Sequence, residues 1–391
     1  MPLRLAVLNP SFPPNAQPCG VGDYTQRLAA ALAAGGTETV VLASLDYRGP
    51  ERRPEGKVLR IAGEWGPRAV RAIARACREE GAHALLVQYA PDLYPPSPAW
   101  INALPLAMKA LAPGVPTVLG MHTVGTSTLP SKLGAGLMIA GADALIATNE
   151  EITHLLRRYL RPFLRKTAEI PIGANVEPPR RDAEARALAR ARLMEERGLA
   201  PGTALLAHFG LFYPGKGAEQ LLDAAGVWKK QGRVFRLFMI GARRPDDGGF
   251  YERLQARGRS RGLGEEVVWT GYLPEGEVSA LLLGADLFLA PYEGGISTRR
   301  GSLMAALAHR LPVVSTPPRV PTQHFRAGEN FAQVPFVDAS ALAGTVAALL
   351  DDPARRERLA RGASELAGRF AWPAIAERTR EFVTGLLRKT P

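Results

Sequence analysis

Apolar residues along the chain gather in short, nearly continuous runs, and between those runs they recur every three or four positions. In the first half the runs are LRLAVLN (3–9), TVVLAS (39–44), ALLVQYA (84–90), TVLGMH (117–122), ALIATN (144–149) and AEIPIG (168–173). In the second half they are ALLAHFG (204–210), FRLFMIG (235–241), EVVWTG (266–271), LFLAPY (287–292) and PVVSTP (312–317). A continuous apolar run suits a parallel strand covered on both faces, whereas a half-exposed strand alternates. Intervening pieces such as GDYTQRLAAALAAGG and GAEQLLDAAGVWKKQG have helical spacing and stop at glycine. The pattern predicts β/α alternation, repeated twice.

The two halves echo each other: GADALIATNE (141–150) and GADLFLAPYE (284–293) each leave a helix and enter a strand that ends near an acid. At 391 residues the chain exceeds what one hydrophobic core usually supports. Proline and charge in ANVEPPRRDAEAR (174–186) mark the boundary, giving domains over 1–178 and 179–372. In parallel sheets of this kind ligands sit beyond the carboxyl ends of the strands.

Composition narrows the partners. With 46% hydrophobic and 22% charged residues the chain reads as an ordinary soluble globular protein. A formal net charge of +12 favours an anionic partner, meaning nucleic acid, an anionic membrane or a phosphorylated small molecule. Much of the excess is arginine interleaved with glutamate on helix-like segments (182–198, 353–362), the pattern of a solvated face. The basic residues are not interleaved with aromatics on one surface, which argues against nucleic acid. Cys19 and Cys77 give neither a disulfide framework nor a metal cluster, and a reduced, cytoplasmic setting is the simplest reading. The opening MPLRLAVLNPSFPP is read as a first strand, not a signal peptide, and no run is long enough to span a membrane.

Four places could carry chemistry. In PNAQPCGVGDYTQRLAAAL (14–32), Gly20 and Gly22 lie where a strand turns into a helix, and the turn is either a phosphate cradle or merely tight. Thr25 stands where a third glycine of a dinucleotide fingerprint would be. The matching turn of the second half, FGLFYPGKGAEQLL (209–222), places Lys216 among Gly210, Gly215 and Gly217 as a point charge for a pyrophosphate, or as an exposed lysine. The loop EGGISTRRGS (293–302) brings Arg299, Arg300 and Gly301 to a helix start with Ser302 as the expected N-cap. Arginine forks, free backbone donors and the helix dipole together make an anion site, unless the arginines point to solvent or pair with Glu293. Finally, His122 closes a strand, where it is either structural or a hydrogen-bond partner of a substrate oxygen. His309 reads as packing. No metal site is readable, and Asp246–Asp247 lacks a partner set.

FGLFYPGKGAEQLLDA, LFMIG, VVWTGYLPEGEVSALLLGADLFLAPYEGG and AALAHRLPVVST together resemble the second half of a family 4 glycosyltransferase. GVGDYTQRLAAAL, His122 and IPIGANV fit its first half, and FAWPAIAERTREFVTGLL resembles the closing helices that return to the first domain, here about 373–391. The resemblance implies a GT-B fold, two Rossmann-like doubly wound domains facing each other across a cleft. It implies a nucleotide sugar as co-substrate, no bound metal or other cofactor, and transfer with retention of configuration. The donor diphosphate would then meet Gly20, Gly22 and Lys216, the sugar His122, and the nucleobase Tyr272 and Leu273. Arg300 joins His122 and Lys216 as the residues expected to serve the reaction, with Gly210, Glu293, Ser297, Arg299, Gly301 and Ser302 around the donor.

The chain departs from that family where the resemblance would place a basic residue and two glutamates. Leu211 follows the strand-end glycine, Ser297 and Ala305 occupy the glutamate positions, and Arg310 replaces a glycine. A binding protein that has lost transfer, or a nucleotide-sugar epimerase, is the alternative. Relatives use saccharide or lipid-linked acceptors, and EITHLLRRYLRPFLRK (151–166) has the composition of a basic interfacial helix at the inner face of a membrane, interrupted by Pro162. Packing of its apolar side against the sheet is the competing reading.

Overall fold

The structure is a computed structural model that describes residues 2–15, 19–95, 99–123, 128–179, 182–243, 248–336 and 338–389. Asp246 and Asp247 lie outside the described residues. The chain divides into two compact units, one made of Met1–Gly173 with Ala371–Pro391 and the other of Ala174–Phe370.

The first unit is built on β1 (Arg4–Leu8), β2 (Glu38–Ser44), β3 (Arg52–Arg53), β4 (Gly56–Ala62), β5 (Ala84–Tyr89), β6 (Thr117–Met121), β7 (Ala144–Ala147) and β8 (Thr167–Glu169). They form one sheet in the order β3-β4-β2-β1-β5-β6-β7-β8, parallel except where β3 meets β4. The apolar runs predicted the parallel strands but missed β4, where Lys57 and Arg60 interrupt the apolar residues one strand from the sheet edge. The expected strand over 168–173 survives only to Glu169, since Pro171 has no N–H to continue the ladder. The helix Gly20–Ala34 buries Tyr24, Leu28 and Leu32 against Trp372, Ile375 and Val383 of the closing helix Trp372–Leu387.

The second unit carries β9 (Ala204–Phe209), β10 (Phe235–Ile240), β11 (Val267–Gly271), β12 (Leu287–Ala290), β13 (Val313–Ser315) and β14 (Ala332–Gln333), all parallel, in the order β11-β10-β9-β12-β13-β14. Pro291 ends β12 two residues short of the expected run.

The internal echo has a physical basis. Asp143 N donates to Thr117 O at 2.9 Å, and Thr117 N donates back to the Asp143 carboxylate at 2.8 Å. Asp286 repeats this with Leu205, at 2.7 and 2.8 Å. In both units the aspartate before one strand thus exchanges two hydrogen bonds with a residue at the start of a neighbouring strand.

Candidate active site

In each sheet the strand order reverses beside the first strand, between β1 and β5 and between β9 and β12. Beyond the carboxyl ends of such strands the crossing helices part, and a crevice opens. The second unit gathers cations there. Gly210 follows β9, and a side chain at 210 would lie 3.6 Å from Lys216 Nζ and 3.5 Å from Ser302 Oγ. Lys216 is 8% exposed and its ammonium lies 4.9 Å from the Tyr213 ring centre and 5.6 Å from that of Tyr292. The Arg300 guanidinium carbon lies 3.9 Å from the Tyr292 ring centre. A side chain at Gly294 would come within 3.4 Å of both arginine forks, to Nη2 of Arg299 and of Arg300. Three cations thus share one corner, Lys216 and Arg300 buried and Arg299 exposed, and burial together with Arg300 and Arg299 pulls the Lys216 pKa down to about 7.

Local backbone explains how the corner is held. Gly217 has φ 78, and any Cβ there would meet Pro291 O at 2.1 Å, so glycine alone lets the turn reach β12. The helix Ala218–Lys230 starts immediately after it. The second helix, Gly301–Ala308, is capped by Arg300, whose extended backbone accepts from Leu303 N at 3.0 Å and Met304 N at 3.1 Å. Ser302, expected as the cap, therefore lies inside the first turn, with its hydroxyl toward Gly210. Gly301 rests on Asn175, whose Cβ is 3.4 Å from where a side chain would begin.

The two positions where the family places glutamates are both buried. Ser297 Oγ accepts from Arg299 N at 3.4 Å, and Ala305 is 0% exposed, its carbonyl accepting from His309 Nδ1 at 2.7 Å. His309 also meets Ser279 Oγ at 2.8 Å and is core. The Glu293 carboxylate accepts from Gln220 Nε2 at 3.4 Å and its carbonyl from Arg319 at 2.8 Å. Glu293 N donates to Gly215 O at 3.2 Å, tying this loop to the lysine turn. Arg310 is a non-glycine residue in the left-handed region, φ 56. Its N–H donates to Leu307 O and that of Leu311 to Ala306 O, both at 3.0 Å, a Schellman stop that ordinarily takes glycine. Leu211 is exposed, and Tyr272 and Leu273 follow β11, Tyr272 being 83% exposed.

In the first unit His122 follows β6. Its Nε2 lies 2.7 Å from Gln88 Oε1, its N–H donates to Tyr89 O at 2.9 Å, and the Tyr24 ring meets it edge-on at 4.7 Å. Burial pushes its pKa down to about 3, so the ring is neutral across the physiological range. Gly20 opens its helix with no atom of the described residues within 4 Å of a potential side chain, whereas one at Gly22 would strike Ser11 O at 2.2 Å. Close backbone packing is thus enough to require glycine at 22. Thr25, in the place of a third glycine, accepts from Asn9 Nδ2 at 2.5 Å and is fully buried.

The basic segment forms a helix Glu150–Tyr159 and a 3-10 turn Arg161–Lys166. Its Leu156, Leu160, Phe163 and Leu164 pack on the sheet, which leaves Arg157, Arg158, Arg161 and Arg165 outward. Among the described residues no group of three or more His, Cys, Asp or Glu is placed to hold a metal ion, and no helix is long and apolar enough to cross a membrane. Sequence reasoning passed over Tyr292, Tyr213, Gln88 and Asn175, since a lone aromatic or amide at a strand end has no spacing to mark it.

Two parallel α/β units with their polar residues at the strand reversals define the GT-B class, and solved structures share the fold along the whole chain. Sucrose-phosphate synthase from Thermosynechococcus elongatus superposes with a TM-score of 0.75 at 20% identity, covering 99% of each chain. Anabaena HepE in complex with UDP-glucose does so with a TM-score of 0.75 at 15% identity over 98% of this chain and 100% of that one. The glycosyl transferase 4-like domain family matches residues 19–173 and the glycosyl transferases group 1 family residues 189–366. A phosphatidyl-myo-inositol mannosyltransferase of Mycobacterium leprae (strain TN) is 29% identical over 92% of this chain and 91% of its own length. The chain belongs to the family 4 glycosyltransferases and is a glycosyltransferase enzyme.

Proposed function

We propose that this enzyme transfers a hexose from a nucleotide sugar with retention of configuration and without a metal ion. The carrying observation is the corner at the β9/β12 reversal, where Lys216, Arg299 and Arg300 stand at two helix starts. Such a corner meets the charge of a diphosphate with a point charge, two planar forks and free backbone N–H groups. Lys216 and Arg300 stabilise the departing diphosphate, whose oxygen takes the acceptor's proton as the acceptor attacks from the same face. Neutral His122 hydrogen-bonds a sugar hydroxyl, and the exposed Tyr272–Leu273 turn receives the nucleobase. With Ser297 and Ala305 in place of glutamates, the donor's hydroxyls are read by other groups, of which Glu293 is the acid held beside the lysine turn.

A thermal-shift panel of UDP, GDP and ADP with their glucose and mannose derivatives tests the donor. Product NMR then reads the anomeric configuration, and added EDTA tests the metal. A diphosphate that stabilises the protein without any transfer would favour the binding-only reading. The acceptor is saccharide or lipid-linked by analogy with the phosphatidylinositol relative. We place a peripheral contact with anionic membrane on the outward arginines at 157, 158, 161 and 165 and the exposed Leu129, Leu133 and Leu137 of the helix Leu129–Gly141. Sedimentation with anionic against zwitterionic vesicles decides it, and equal binding to neither removes the idea.

A further inference from the structure

Gln88 is 1% exposed, yet among the described residues its Nε2 has no hydrogen-bond partner. A buried donor left unpaired costs on the order of 1–3 kcal/mol, so for packing alone methionine or leucine would serve this strand better. What the amide gains lies at its other atom, Oε1, 2.7 Å from His122 Nε2. Room for that contact is made across the strand pair. Gln88 stands opposite Gly120, and a Cβ on Gly120 would fall 2.8 Å from Oε1. The Tyr94 hydroxyl donates to Gln88 O at 2.8 Å and fixes the end of β5, while Tyr24 meets the imidazole edge-on. An amide oxygen only accepts, so Nε2 must carry the ring's hydrogen and Nδ1 its lone pair.

We propose that Gln88 is a positioning residue that locks His122 in the Nε2–H tautomer and so leaves Nδ1 as an acceptor for a donor-sugar hydroxyl. The second half of this statement rests on the role given to His122 above; the tautomer does not. No proton is transferred to or from the ring in this role. The pair sets what is recognised, namely a hydroxyl that can donate, and a sugar deoxygenated at that carbon loses the contact.

The test uses the full chain with 15N-labelled histidine, and the His122 signal is assigned by its loss in His122→Gln. Long-range 1H–15N spectra should show His122 as the Nε2–H tautomer in the wild type and a shift toward Nδ1–H in Gln88→Met. Dissociation constants for UDP against UDP-glucose, and GDP against GDP-mannose, give the preference for the sugar nucleotide over its diphosphate. Gln88→Met should shrink that preference roughly tenfold, the size of one buried hydrogen bond, with diphosphate affinity unchanged. Gln88→Glu keeps the acceptor and draws a proton onto His122; the Tyr24 phenol that meets the ring edge-on is kept neutral by burial. Its preference should therefore return at high pH and vanish at low pH, while that of the wild type stays flat. An unchanged tautomer in Gln88→Met, or a wild-type Nδ1–H tautomer, overturns the proposal. Loss of preference in His122→Ala but not in Gln88→Met overturns it too, whereas no loss in either refutes the reading of His122.

Discussion

The guanidinium carbon of Arg300 lies over the ring of Tyr292, 3.9 Å from its centre, and that ring is fully buried just past β12. A cation on an aromatic face gains about 0.5–2 kcal/mol as it is desolvated, and here the ring also fixes where the fork points. Tyr292→Leu should therefore weaken UDP or GDP binding by roughly 2- to 30-fold. Arg300→Lys keeps the charge and loses the planar fork, and should cost at least about tenfold. Calorimetric titration checks both, and wild-type affinity in either would dissociate the pair from the site.

Lys216 makes binding a proton-coupled event. In the free protein its pKa is pulled down to about 7, so above that pH it is largely neutral, and an arriving diphosphate draws a proton onto it. Affinity should be highest below pH 7 and fall as pH rises above it. Titrations in buffers of differing ionisation enthalpy should show proton uptake at pH 8 that disappears in Lys216→Met. The same group acts on stability. The unfolded lysine keeps its proton up to about 10.5 and the folded one only to about 7, so this residue's contribution improves as pH rises between those values. Denaturation of Lys216→Met at several pH values should lack that slope.

Arg310 carries a left-handed backbone that costs a non-glycine residue about 1–2 kcal/mol. Its ion pair with Glu357 is at the surface and contributes little. Arg310→Gly should raise stability by about 0.5–1 kcal/mol in urea unfolding and leave turnover unchanged.

The two glycines at the first helix should separate. Gly22→Ala drives a side chain into Ser11 O and should lower the melting temperature sharply, whereas Gly20→Ala meets no described residue and should leave it unchanged. A loss of donor affinity in Gly20→Ala with an intact fold would assign that turn to the ligand; no loss would leave it structural.

Strands buried on both faces were legible because their apolar runs are continuous, and β4 was not because Lys57 and Arg60 interrupt it near an edge. Lys216, Arg299 and Arg300 stood out as cations at glycine-rich helix starts, and the structure brings them to one corner with Gly210 and Ser302. Ser302 looked like a cap by residue type, but the extended backbone of Arg300 takes that place two residues earlier. Gln88 was hidden inside an apolar run, where a polar residue carries no periodic signal. Arg310 stood out only as a residue where the resemblance would place glycine, and its φ of 56 is in the left-handed region that favours glycine.

In the function proposed here, the β9/β12 corner binds the diphosphate of a sugar nucleotide. The direct measurement is calorimetric titration of UDP and GDP into the wild type, Lys216→Ala and Arg300→Ala, with circular dichroism confirming each fold. The wild type should bind at least one diphosphate, and each variant should lose roughly a hundredfold or more in affinity. Wild-type affinity in both folded variants would contradict it.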